Sequence, residues 1–216
     1  MNLPNKLTIL RIILVPLIVI IYYLGNLGAI NGEILNISIV NWLILAIFSI
    51  ASYTDHLDGK IARRDNKITA FGKFADPLAD KILVLAVMLI LVEQGKLPAW
   101  IPIIVLFREF VVSGYRLIAV EKGGKVIAAN MWGKVKTVTQ MIAIILMLLS
   151  NFPYFQFIFR AATKPEAMTS SILVYMPTGE YILNILASVL MTVSVIATIF
   201  SGWSYIKEGK DLFKDC

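Results

Sequence analysis

One cysteine and one histidine are all that this 216-residue chain offers to thiol or imidazole chemistry. Cys216 is the last residue, so no internal disulfide framework is available, and its context does not fit a prenylation box. His56 has no second histidine with which to build a His-based site, and no Ser, Cys or His constellation is set up for a covalent intermediate. Charge is also scarce: Asp, Glu, Lys and Arg make up 16% of the residues, against about 25% in an average soluble domain. No internal repeat is visible, which argues against the inverted repeats of many transporters. The basic residues form no aromatic-interleaved patch, so nucleic acid is not an expected partner.

What the chain has in abundance is apolar sequence. Hydrophobic residues reach 58% and the mean hydropathy is +0.80, which indicates a polytopic membrane protein in a lipid bilayer. Apolar segments lie at about 7–24, 37–54, 82–92, 97–120, 135–150 and 181–200. They predict an all-α fold of six transmembrane helices in one domain over residues 1–216, with a polar site at the cytoplasmic side. The segment 82–92 is too short to cross about 30 Å, so its helix is expected to begin earlier and to include Asp76 and Asp80. The first apolar run is long, is interrupted by Arg11 and Pro16, and precedes no small-x-small site. It therefore reads as a retained helix and not as a cleaved signal.

Loops follow from turn residues and charge. Residues 25–36 read as a turn-rich outer loop without Lys or Arg, 59–73 and 121–134 as cytoplasmic loops, and 151–180 as the longest external connection. Most Lys and Arg residues fall with the N-terminus, 55–81, 121–136 and the C-terminal tail. The positive-inside rule then places both termini in the cytoplasm and the chain in the cell inner (plasma) membrane.

Four aspartates break the apolar pattern: Asp55 and Asp58, three apart, and Asp76 and Asp80, four apart. Those spacings put each pair on one face of a helix. A carboxylate inside a membrane costs about 2.5–3.5 kcal/mol on insertion scales, so a cluster of four is hard to explain as packing. In isolation, Asp76-Pro77 also reads as a helix N-cap and Asp58-Gly59 as a turn. Both pairs together, with the first closing one helix and the second opening the next across a loop of about fifteen residues, suit a divalent-metal site of hard oxygen donors. Gly59 and Gly72 allow close approach of a ligand or backbone, and Arg63 can fork onto phosphate oxygens.

Written out, the segment is Asp55-x2-Asp58-Gly59-x2-Ala62-Arg63-x8-Gly72-x3-Asp76-x3-Asp80. This pattern resembles that of the CDP-alcohol phosphotransferases, a family of six-helix membrane enzymes. The resemblance implies a CDP-linked donor, two Mg²⁺ or Mn²⁺ ions and loss of CMP. It implies Asp55, Asp58 and Asp76 as metal ligands, and Asp80 as both a ligand and the general base. Gly59, Ala62, Arg63 and Gly72 would bind the CDP-diacylglycerol donor. A homodimer is also what the resemblance suggests.

Two further groups bear on substrates. Asn5, Thr8 and Arg11 stand three apart along one helix face and resemble the family's nucleotide-side segment, which assigns them to donor binding; a cap, a core threonine and a snorkelling arginine are the plain alternative. Arg108 and Arg116, eight apart in an apolar run, lie on roughly one face, and Lys134 and Lys136 follow at the start of a later helix. A phosphorylated acceptor would supply an anion for these cations, although Arg108 also reads as paired with a carboxylate elsewhere. The stretches Arg108–Arg116, Gly133–Thr137 and Asp76–Lys81 resemble the branch of the family that transfers a phosphatidyl group to sn-glycerol 3-phosphate. Arg116 and Lys134, then Arg108 and Lys136, are the expected acceptor-phosphate ligands. Inositol phosphate, serine or phosphatidylglycerol as acceptor, and more remotely a cation transporter, are the competing readings.

Overall fold

A backbone surrounded by lipid has no water to bond with, so it satisfies its N–H and C=O groups within its own helix. The computed structural model describes residues 3–35, 37–65, 70–121, 131–150 and 178–208, and only the backbone of 3–7, 55–65, 70–77, 116–121, 178–181 and 208. Among these residues six helices occur: α1 (Leu3–Asn26), α2 (Ile39–Asp65), α3 (Ala70–Glu93), α4 (Trp100–Glu121), α5 (Met131–Leu148) and α6 (Thr178–Glu208). Each takes up one of the apolar segments. Between α1 and α2 the described residues hold an exception to the all-α expectation, an antiparallel pair of two-residue strands, β1 (Glu33–Ile34) and β2 (Ile37–Ser38). The Ile39 N–H donates to the Gly32 carbonyl (3.0 Å) and the Trp42 indole N–H to the Ile34 carbonyl (3.1 Å), which fasten this hairpin to the start of α2.

Among the described residues three stretches are long and apolar enough to cross a membrane: Thr8–Asn26, Met131–Leu148 and Ile182–Lys207. The described side chains of α2 give a shorter apolar helix, Ile39–Thr54. Charge is what sets α3 and α4 apart, since α3 carries Asp76, Asp80 and Lys81 and α4 carries Arg108, Glu109 and Arg116. The residues that suggest chemistry are thus the ones that weaken the spanning signal.

The chain divides into two compact units, one built on Met1–Lys96 and one on Leu97–Met147 together with α6. In the first, α1 packs along both α2 and α3. The buried residues of α1 are Thr8, Arg11, Ile18 and Tyr22, a stripe at helical spacing, while Leu10, Ile13, Leu17 and Ile20 are exposed on its other side. Stripes of the same kind run through α2 (Ile44, Phe48, Ala51) and α3 (Ala79, Leu83, Val87, Leu91). In the second unit, α4 packs on α6. The buried stripe of α6 is part apolar and part small and polar: Asn184, Ala187, Met191, Ser194, Thr198, Ser201 and Tyr205.

Two local expectations are corrected. The loop expected over 59–73 is mostly helix, because α2 continues to Asp65 and α3 already begins at Ala70. Asp58-Gly59 is therefore no turn: Lys60, Ile61, Ala62, Arg63 and Arg64 follow it, and most of these are strong helix formers that carry the glycine. Asp76 is no N-cap either, since Pro77 lies inside α3 at the loss of one backbone hydrogen bond. The expected connection over 151–180 lies outside the described residues up to 177, and α6 begins at Thr178.

Candidate active site

The first unit holds the aspartate motif on two uninterrupted helices. Positions 55 and 58 are one turn apart in α2, and positions 76 and 80 one turn apart in α3. In register, 55 and 58 continue the spacing of Ile44, Phe48 and Ala51, and 76 and 80 precede Leu83 and Val87 in the same rhythm. Both pairs thus prolong the stripes by which α2 and α3 join the core of their unit. The side chains of Asp55, Asp58 and Asp76, and likewise of Asn5, Ala62 and Arg63, lie outside the described residues, as do the surroundings of Gly59 and Gly72. Asp80 is half-buried beside the fully buried Ala79 and Leu83, and it has an interaction partner.

Thr8 and Arg11 stand on the buried stripe of α1, 1% and 2% exposed, and Arg11 is among the largest fully buried side chains. A guanidinium inside an apolar helix is costly unless it meets acceptors, so its place in this core needs a polar purpose. The donor set of the motif is carboxylate oxygen throughout, with no thiol or imidazole among the four motif positions. That chemistry fits hard divalent cations such as Mg²⁺ or Mn²⁺ better than zinc or copper.

In the second unit the structure joins two of the four predicted acceptor residues through a residue the sequence reading passed over. Arg108 Nη1 donates to Glu109 Oε1 at 2.7 Å, and Lys136 Nζ of α5 donates to the same oxygen. Arg108 Nη2 donates to Ser201 Oγ of α6 at 2.6 Å, and its guanidinium lies 5.9 Å from the centre of the Tyr205 ring. Gly133 and Gly202 leave room for this arginine: a Cβ at Gly133 would sit 3.4 Å from Nη2, and one at Gly202 3.4 Å from Arg108 Cγ. Ser194 Oγ, also on α6, donates to the Lys136 carbonyl at 3.2 Å.

Among the described residues two cations thus meet on one carboxylate, partly buried, with the Arg108 and Glu109 side chains 12% and 18% exposed. Lys134 is exposed, and the Arg116 side chain lies outside the described residues. Glu109 was legible as a neighbour of Arg108. Ser201 and Tyr205 were legible only as members of a polar stripe repeating every three to four residues through α6.

Comparison with known proteins finds likeness along nearly the whole chain. A family model described as CDP-alcohol phosphatidyltransferase matches residues 1–200. A Bacillus subtilis protein named CDP-diacylglycerol–glycerol-3-phosphate 3-phosphatidyltransferase is 38% identical over 214 residues, covering 99% of this chain and 97% of that protein. A Rickettsia felis protein of the same name is 32% identical, covering 98% and 97%. A Mycobacterium tuberculosis protein named probable phosphatidylglycerophosphate synthase is 38% identical over 148 residues, covering 68% and 66%. With its aspartates carried on two continuous helices and a match over residues 1–200, this chain belongs to the CDP-alcohol phosphatidyltransferase family.

Proposed function

We propose that the protein transfers the phosphatidyl group of CDP-diacylglycerol to sn-glycerol 3-phosphate, giving phosphatidylglycerophosphate and CMP. The observation that carries this reading is the near full-length likeness to the Bacillus subtilis protein named for that reaction. The aspartate motif on α2 and α3 and the cationic cluster around Glu109 support it chemically.

In this reading Asp80 takes the proton of the acceptor hydroxyl as its oxygen attacks the phosphatidyl phosphorus. The new P–O bond forms to the acceptor, the P–O bond to CMP breaks, and no covalent enzyme intermediate is involved. Asp55, Asp58, Asp76 and Asp80 would hold two divalent ions, which when bound neutralise the diphosphate and stabilise departing CMP. Asn5, Thr8, Arg11, Gly59, Ala62, Arg63 and Gly72 would receive the donor. Arg116 and Lys134 would bind the acceptor phosphate, with Arg108 and Lys136 contributing positive charge from their cluster. All six helices would span the inner membrane in one functional domain, with both termini and the aspartates on the cytoplasmic side, where nucleotide and acceptor arrive from water. A homodimer goes with the family resemblance.

The test is CMP release by the purified protein from CDP-diacylglycerol, with Mg²⁺ or Mn²⁺ and with chelator. The acceptors would be sn-glycerol 3-phosphate, serine, inositol phosphate and phosphatidylglycerol. Metal-dependent release with sn-glycerol 3-phosphate alone is the expected result. Release with another acceptor instead keeps the chemistry and replaces the substrate; release that survives chelation removes the metal.

A further inference from the structure

At the other end of the first unit, where α1 ends, α2 begins and the turn after α3 closes, lies a polar cavity of about 450 Å³. Tyr22, Asn26, Asn31, Asn41, Gln94 and Lys96 are among its lining residues. Along α2, Asn41 is fourteen residues from Asp55, and along α3, Gln94 is fourteen residues from Asp80. At a helical rise of about 1.5 Å per residue the cavity lies roughly 20 Å from the aspartate motif, so it is no part of the donor site.

The cavity is a built feature. α1 and α3 both stop in glycine-terminated turns at this end, with Gly28 at φ 76° and Gly95 at φ 72°. The Ala29 N–H returns to the Leu24 carbonyl and the Lys96 N–H to the Leu91 carbonyl, each at 2.9 Å, which turns Lys96 back toward the helices. Lys96 is 4% exposed and Asn41 3% exposed, so a cation and an amide line the cavity from buried positions. Gln94 Nε2 donates to Asn41 Oδ1 at 2.9 Å, joining α3's end to α2's start.

Its chemistry favours an anion that also carries a hydrogen-bond donor. The ammonium of Lys96 supplies positive charge from a buried position, while the lining carboxylate Glu33 is exposed to solvent, and the first turn of α2, which lines the cavity through Val40 and Asn41, contains no acidic residue to offset its positive dipole end. Gln94 Oε1 is buried and accepts no hydrogen bond among the described residues, so a hydroxyl or N–H on the ligand has an acceptor waiting. A phosphate bearing a neighbouring hydroxyl or amine meets both requirements.

The rim selects the source of that phosphate. Leu27 and Leu35 are 81% and 83% exposed and Ile34 is 54% exposed, all on the loop that borders the cavity. Leu35 holds φ 56°, a conformation that L side chains rarely adopt. Such a set of protruding apolar side chains is unfavourable in water and favourable in the acyl region of a bilayer. The candidate span Thr8–Asn26 also ends at this cavity, which puts it at a membrane boundary. We infer that this cavity binds the headgroup phosphate of an anionic phospholipid, with Lys96 as its counter-ion.

The experiment is a binding titration of the purified full-length protein in detergent, with CDP-diacylglycerol present at saturation to fill the donor site. Short-chain phosphatidylglycerol, short-chain phosphatidylcholine and sn-glycerol 3-phosphate are the probes, read by native mass spectrometry. Phosphatidylglycerol should bind about tenfold tighter than phosphatidylcholine, and Lys96→Gln should erase that preference. Glu33→Lys, at an exposed lining position, should strengthen it severalfold, so the idea stays testable if Lys96→Gln fails to fold. Equal affinity for the two lipids, or a preference that neither variant changes, overturns the site. Lys96-dependent binding of sn-glycerol 3-phosphate as tight as that of phosphatidylglycerol overturns the lipid assignment in favour of free phosphate. CDP-diacylglycerol is left out when sn-glycerol 3-phosphate is the probe, so binding is read without turnover and this result stands apart from the identity of the reaction.

Discussion

In the second unit, Arg108 and Lys136 share the carboxylate of Glu109, and Ser201 and Tyr205 complete the arginine's surroundings. In the first unit the motif has the opposite sign: Asp55 and Asp58 on one helix and Asp76 and Asp80 on the next, two helices of one core. The cationic cluster carries its own counter-ion, Glu109. The acidic cluster, on the proposed mechanism, takes its counter-ions from solution. A charge balanced within the fold serves as a standing electrostatic surface, whereas a charge balanced by metal ties activity to the metal supply.

The comparison breaks most sharply at Asp80. Asp80→Asn removes the proposed base while keeping the shape, and turnover should fall about 10²–10⁴-fold with CDP-diacylglycerol binding little changed. Near-normal CMP release would end that role for it. Glu109→Gln tests the other side: it takes the counter-ion from two partly buried cations and should cost about 3 kcal/mol of stability, read as denaturant unfolding in detergent. A cost well below about 1 kcal/mol would mean that water screens the cluster as it does a surface pair.

The two units also differ in the room around a helical glycine. A Cβ on Gly25 would lie 2.3 Å from Val40 Cγ2, inside the α1–α2 contact, while one on Gly133 meets nothing nearer than 3.4 Å. Gly25→Ala should therefore destabilise by about 1–3 kcal/mol, and Val40→Ala in the same chain should recover part of it. Gly133→Ala should stay within about 1 kcal/mol of wild type, since alanine's helix preference offsets the crowding. Thermal unfolding of the three variants decides between these outcomes. Arg116→Ala is read on binding and not on stability: it should raise the acceptor KM about tenfold and leave the donor KM nearly unchanged. Equal changes in both constants would remove Arg116 from acceptor binding.

Much of this was legible because it is local. The six helical segments and the one-turn spacing of each aspartate pair follow from periodicities of three to four residues. Thr8 and Arg11 were picked out by the same spacing, and the buried stripe of α1 contains both. The errors came where a local signal had two meanings. Gly59 and Pro77 each announce a break, yet both lie inside helices, since one glycine or one proline costs less than unwinding a helix that already packs in a core.

By itself, the amino-acid order determined the helical segments, the face-sharing of Asp55 with Asp58 and of Asp76 with Asp80, and the family. These are properties of a chain whose neighbours three and four apart must meet in any α-helix. Tertiary structure alone decided that Glu109 would hold Lys136, twenty-seven positions away, that Ser201 would accept from Arg108 across ninety-three, and that Asn41 and Gln94 would meet at a cavity. Such pairs depend on how each helix is rotated and set against the next. That is settled by the packing of whole apolar stripes, and no spacing along the chain records it.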